Sequence, residues 1–194
     1  GRDEAEAEGK AVAGSLGQSC AARNELESAL GMLTAERLRQ VLTYAPETGL
    51  FYWRVDCGTA LAGELAGCLC GNSGYVLIGI DGRLYRAHRL AWLYTHGRWP
   101  EGDVDHANTE RSDNRLSNLR EATRSQNNAN SRRRCNNTSG FKGVSFNSRR
   151  DQWQAYITKD RKMRHIGWFA TKELAVAARE VAALAQWGKF ARAA

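Results

Sequence analysis

The sequence predicts an α+β fold built from short strands and a few helices, and three observations predict it. Residues 50–54 (LFYWR) and 75–80 (YVLIGI) are rich in aromatic and β-branched side chains, as strands are. Asp81-Gly82 stands between YVLIGI and RLYRA, which is the two-residue hairpin signature. Three further β-type runs, 141–146, 152–158 and 163–169, lead into an Ala-rich helical stretch at 171–187.

The elements follow in order. Residues 1–31 have almost no large apolar side chain before Leu26, so burial cannot offset the cost of ordering them, and disorder with a frayed helix near 25–30 is expected. Met32 directly precedes the first ordered pattern, and the functional protein is expected to begin there. From Thr34, a capping residue, Leu38, Val41 and Leu42 form a helical stripe, which Pro46, Thr48 and Gly49 end in a turn. After the hairpin, residues 88–96 carry a helical apolar face through Leu90, Ala91, Leu93 and Tyr94, and Gly97 stops it. Residues 103–130 are so rich in Asp, Asn, Arg and Ser that composition alone makes them a loop, and loops of that length are usually functional or disordered. A linker is placed at 135–140. In the closing segment Trp153, Ala155 and Ile157 share one strand face, and Gln152, Gln154, Tyr156 and Thr158 share the other. Thr171 is the expected N-cap of the last helix, whose inner face is read as Leu174, Ala177, Ala178, Val181, Ala182 and Ala185.

Charge and cysteines narrow the function. The net charge is +7, but residues 1–31 set Arg2, Lys10 and Arg23 against six Asp/Glu, so the remainder carries +10. A body that basic favours a polyanion, because each neutralised phosphate releases counterions. Charge alone does not separate DNA from RNA or a membrane surface. No apolar run approaches the roughly 18 residues of a membrane span. Five irregularly spaced cysteines (Cys20, Cys57, Cys68, Cys70, Cys135) give neither a disulfide framework nor paired zinc ligands, and read as reduced thiols.

Chemistry concentrates in Val104-Asp105-His106, in DNRLSNLR at 113–120 and in TRSQNN at 123–128. Cutting a phosphodiester needs an activated water, counter-charge for the transition state and help for the leaving oxygen. An imidazole takes a proton near neutral pH, and a hard divalent cation accepts a carboxylate and an amide oxygen while keeping its waters. These residues resemble the HNH endonucleases of the ββα-metal type, in their phage and intron-encoded branch. The resemblance implies a ββα-metal core at 86–134 after a helix and β-rich region at 32–85. By motif position it implies His106 as general base, Asn118 as the residue orienting its imidazole, and Asp105 and Asn127 as ligands of one Mg²⁺ or Mn²⁺, with Asn128 the rival to Asn127. His88 matches a histidine usual upstream, where a structural hydrogen bond is expected of it. Arg115, Arg120 and Arg124 are candidates for phosphate contacts.

Residues 139–146 (SGFKGVSF), 153–157 (WQAYI) and 165–169 (HIGWF) with the helix after them resemble the plant APETALA/ethylene-response-factor DNA-binding domain. That resemblance implies a three-stranded sheet on one helix at 141–190, with Lys142, Arg149, Tyr156, Thr158 and His165 at DNA-contacting positions; Ser145, Asn147 and His165 depart from the family's residues, so base specificity does not carry over. Together the two resemblances imply a site-preferring, metal-dependent endonuclease of homing or mobile-element type. It would cut double-stranded DNA to 5′-phosphate and 3′-hydroxyl ends in the cytoplasm of a bacterial or phage-infected cell. Neither a membrane nor an obligate protein partner is expected, and monomer and homodimer stay open. The alternative is a DNA-binding regulator with a vestigial, non-cleaving HNH core.

Overall fold

A computed structural model describes residues 31–133 and 135–192. The disorder and frayed helix expected upstream fall on residues 1–30, outside the described ones. Every element below lies within the compact unit Ala35–Ala194. Among the described residues the fold is α+β, with small antiparallel sheets and four helices.

Helix α1 (Ala35–Val41) buries Leu38 and Val41 as their spacing predicts; Leu42 is buried too, but as the first residue of strand β1 (Leu42–Ala45). β1 pairs antiparallel with β2 (Leu50–Trp53). Gly49, in the turn between them, has φ +75°, and a side chain there would run into the backbone of Asn114 and Arg115. Both the conformation and the close approach demand glycine. Gly49→Ala is expected to lower stability by at least about 2 kcal/mol, read as a fall in the urea midpoint at unchanged m-value.

Strands β3 (Cys68–Leu69), β4 (Val76–Ile80) and β5 (Arg83–Arg86) form an antiparallel sheet in that order. Asp81 and Gly82 both have positive φ, 48° and 75°, as a two-residue hairpin turn of matching twist requires. Helix α2 (Ala87–His96) buries Leu90, Ala91, Trp92 and Leu93, and Gly97 closes it in a left-handed conformation with its N–H donating to Leu93 O.

The polar stretch at 103–130 is not a loop. It forms strand β6 (Asp103–His106), a 3-10 turn (Leu116–Asn118), strand β7 (Leu119–Ala122) and helix α3 (Arg124–Asn130), a ββα unit. Four small or medium apolar side chains, Val104, Leu119, Ala122 and Ala129, are buried, and its polar groups bond mainly to one another. Composition therefore hides the element.

Strands β8 (Val144–Asn147), β9 (Gln152–Lys159) and β10 (Lys162–Phe169) make a sheet with β9 in the centre, backed by helix α4 (Lys172–Trp187). Ala155 and Ile157 turn to the helix, as the alternation predicts, and Thr171 Oγ1 accepts the Leu174 N–H as N-cap. The inner face of α4 is a correction to the periodicity reading. The buried stripe is Ala175, Arg179, Ala183 and Trp187, while Leu174, Val181 and Leu184 face outward. Counting an arginine as polar rotates the apparent apolar face away from the true one. The lower end of α4 and the following turn share a core with the ββα unit: Ala122, Ala129, Ile157, Ala183, Trp187 and Phe190.

Candidate active site

Alternation along β6 sends Asp103 and Asp105 to one side and Val104 and His106 to the other. Helix α3 covers the first side. Its capping box, with Thr123 Oγ1 accepting from Gln126 N and Gln126 Oε1 from Thr123 N, sets where the helix starts. Lys142 ends it: its ammonium donates to the carbonyls of Asn128, Ala129 and Ser131, at the terminus where helical bonding leaves carbonyls short of partners. Lys142 thus serves α3 directly, a task not anticipated for a residue expected at DNA.

Asn127 and Asn130, three apart, share the face of α3 turned to β6. Asn127 Nδ2 donates to Asp103 Oδ2 at 2.9 Å, whereas Asn130 Nδ2 reaches both Asp105 oxygens at 3.0 Å and His106 O at 2.8 Å. Asn130 is 5% exposed and was not singled out from sequence; its spacing from Asn127 is the signal that could have found it. Asn128 lies on the other face of the helix, exposed.

Asp105, 5% exposed, is paired directly across the hairpin with Arg120. Arg120 Nε and Nη2 donate to Asp105 Oδ2 at 2.9 and 2.8 Å, its Nη1 donates to Lys189 O at 2.8 Å, and its guanidinium lies 4.0 Å from the Phe190 ring centroid. The carboxylate is therefore already matched by positive charge and linked through it to the C-terminal turn.

His106, 4% exposed, sits on the opposite side of the hairpin, against His88 and Tyr75, with ring centroids at 4.9 and 6.0 Å. Its Nε2 is 3.2 Å from Asn114 Oδ1. With that amide oxygen accepting, Nε2 carries the proton and Nδ1 keeps the basic lone pair. The partner of the imidazole is thus Asn114. Asn118 instead secures the loop, its Oδ1 accepting from Asn108 N and its Nδ2 donating to Asp113 O. Asn114 is itself held by Tyr44, whose hydroxyl donates to Asn114 O at 2.7 Å and whose burial pushes its pKa up to about 12.

Burial lowers the His106 pKa below 6.5, and the Asn114 hydrogen bond and the Asp105 charge only partly restore it. The ring is therefore neutral, and basic, at neutral pH. His88 is driven further down, to about 3, by burial first and by the charges of His106, Arg86 and Arg89 after it. Its Nδ1 has no hydrogen-bond partner among the described residues, so the hydrogen bond expected there is not seen at that atom. Stability follows from the sign of these shifts. Between about 3 and 6.5 the unfolded chain binds the extra proton, so stability is complete above pH 6.5 and lost as pH falls. His88 alone should cost about 2 kcal/mol at pH 5 relative to pH 7, and urea unfolding of His88→Gln should show a flatter pH dependence.

The remaining expected contacts are dispersed. Arg115 is paired with Asp113 at 2.6 Å, and Arg124 is exposed at the start of α3. Arg149 is exposed in the β8–β9 turn. Tyr156 and His165 are cross-strand partners on the outer sheet face, with Thr158 two residues further along β9. The hairpin, the histidine at the end of its first strand and the acid-bearing face closed by an asparagine helix form one ββα constellation. A family model described as HNH endonuclease matches residues 85–129, from within β5 to within α3.

The chain belongs to the HNH endonucleases. Over 81 residues it is 32% identical to "Protein 3.8" of Escherichia phage T7, a match that takes in 41% of this chain and 67% of the phage protein. HNH nucleases use divalent metal ions, and the residues present fit one. Asp103 and Asp105 share one side of β6, and the amide groups of Asn127 and Asn130 lie against them with Nδ2 donating; carboxylates and amides of this kind carry the hard oxygen donors such an ion takes. Among the described residues no three His, Cys, Asp or Glu side chains converge, so amide oxygens and water would complete the shell. No helix among them is long and apolar enough to cross a membrane.

Proposed function

We propose that this HNH endonuclease is a site-preferring DNA-cleaving enzyme of homing or mobile-element type, using one Mg²⁺ or Mn²⁺ per centre. The observation that carries the reading is His106, held neutral by burial with Asn114 on Nε2, next along β6 to Asp105, whose carboxylate meets Asn130 of α3 on the other side of the hairpin. His106 Nδ1 takes the proton from the attacking water. Asn114 holds the ring, and Asn118 keeps the loop that carries Asn114 in place. Asp105 and Asn127 would hold the metal, with Asn130, hydrogen-bonded to Asp105, a second amide beside them. When bound, the ion would supply counter-charge for the transition state of phosphodiester cleavage. The products are 5′-phosphate and 3′-hydroxyl ends.

Arg115, Arg120 and Arg124 are the candidates for phosphate contacts; Arg120 alone touches Asp105 and must leave it to act so. The C-terminal module is read as a DNA-binding domain of the ethylene-response-factor kind, a reading supported by its three strands and backing helix. Its outer face, with Arg149, Tyr156, Thr158 and His165, would supply register on duplex DNA, since phosphate contacts position and base contacts specify. Lys142 joins that surface only if it leaves the α3 carbonyls.

The deciding experiment incubates supercoiled plasmid bearing DNA from the source locus with the protein and Mg²⁺, Mn²⁺ or EDTA. Metal-dependent nicked or linear product with 5′-phosphate ends is expected. Tight binding without cleavage in either metal, on several target plasmids, would leave a DNA-binding regulator instead.

A further inference from the structure

Helix α3 has a second long face. Behind it, away from Asp105, a cleft of about 830 Å³ separates α3 from the β9–β10 end of the C-terminal sheet. Arg124, Asn128 and Arg132 form one wall, and Tyr156, Thr158 and Arg161 the other. The pairing of β8 with β9 ends at Val144↔Ala155, with one more bond from Tyr156 N to Gly143 O, so that edge of β9 is without a partner strand from Ile157 onward.

Arg179 lies among the lining residues, and its situation is unusual for an arginine. It is 3% exposed, its Nη1 donates to Arg192 O at 2.9 Å, and its Nε is buried without a hydrogen-bond partner. Among the described residues no carboxylate lies within ion-pair distance of its guanidinium. A guanidinium does not shed its proton, so this charge is held in a poorly solvated place with no ion-pair partner among the described residues. Burial disfavours the charged form there, and only Glu180 works the other way. Gly143 keeps the space clear: a side chain at that position would crowd the Tyr156 carbonyl and approach Arg179 Cγ and Nε.

The surroundings repeat the sign. Among the described residues Asp160 is the single carboxylate lining the cleft. Arg132 is partly spent on Glu110 and Lys142 on the α3 carbonyls, but Arg124 and Arg161 make no ion pair among the described residues. Buried unmatched cations are costly unless an anion completes them, and a donor fork of this kind matches phosphate oxygens.

We propose that this cleft seats one strand of the DNA backbone, with a phosphate on Arg179 flanked by Arg124 and Arg161. The identity of the polyanion as DNA rests on the nuclease reading; the anion site itself does not. The substrate would then be gripped on the side of α3 opposite the cleavage centre, roughly one helix diameter (~10 Å) away. The helix would be clasped between the strand it cuts and a strand it holds.

The test is equilibrium binding of a fluorescein-labelled duplex in EDTA across a KCl series, with the full chain and Arg179→Met, Arg124→Gln and Arg161→Gln. Each variant is expected to lower the slope of log K against log [salt] by about one, the loss of one phosphate contact. Arg179→Met should also melt no lower than the parent, because it removes an unmatched buried charge; a purely structural arginine would give a lower melting point and an unchanged slope. If that variant fails to fold, Arg124→Gln and Arg161→Gln decide alone. Unchanged slopes in the folded variants overturn the proposal. Because the assay contains no metal, its result stands apart from plasmid cleavage: altered slopes without cleavage keep the cleft and sink the nuclease, and the reverse sinks only the cleft.

Discussion

His106→Ala is expected to slow single-turnover plasmid nicking by a factor on the order of 10²–10⁴, the usual contribution of a positioned general base. Duplex affinity measured in EDTA should stay within about twofold, because the ring is buried and contributes no charge to the DNA surface. Asn114→Ala tests the same assignment from the other side. It leaves the base in place but removes the partner of Nε2, so a smaller loss, on the order of 10-fold, is expected. The acidic limb of the rate profile is diagnostic as well. Activity should persist below pH 6.5 and fall only as His106 is protonated, since its pKa is lowered. A parent enzyme that loses its rate above pH 6.5 would show that another group supplies the base.

Arg120→Ala should carry the second largest effect, on stability rather than on chemistry. Asp105 is nearly enclosed and Arg120 is largely covered, so removing the arginine strands a buried carboxylate with only the Asn130 amide beside it. Breaking a buried pair in this way costs about 3–5 kcal/mol, and the contacts to Lys189 O and the Phe190 ring are lost with it. The same carboxylate is a proposed metal ligand, which gives the prediction a second readout. Added Mn²⁺ should raise the melting temperature of Arg120→Ala by more than that of the parent, because the ion takes over the charge that the guanidinium supplied. Equal shifts in the two proteins would separate Asp105 from the metal.

Legibility along the chain followed the range of the interaction. Asp81-Gly82, Gly97 and Thr171 could be read from residue identity because a turn or a cap is decided within a few residues. Ala155 and Ile157 were readable for the same reason, since strand alternation is local. The ββα unit was hidden from composition, because its core is four modest apolar side chains and the rest is a polar network joining residues 8 to 25 apart. Motif resemblance brought forward His106, Asp105 and Asn127. It could not show that Asn114 meets the imidazole, that Asn130 meets Asp105, or that Arg120 spans from Asp105 to Lys189. Those partnerships depend on how the loop and the C-terminal turn fold back. Arg179 was concealed by its own chemistry, since an arginine in an apolar stripe reads as a break in the stripe.

Helix α3 is only seven residues long, too short to persist by itself, and both of its ends and both of its faces lean on other parts of the chain. Lys142 closes its last turn and Trp187 bonds Ser125 from the far end of the protein. During synthesis, then, the acid-bearing hairpin emerges well before the helix beside it has anything to rest against. The helix beside the hairpin would gain its support only once the segment carrying Trp187 had left the ribosome, so the ββα unit would be completed late rather than as it emerges.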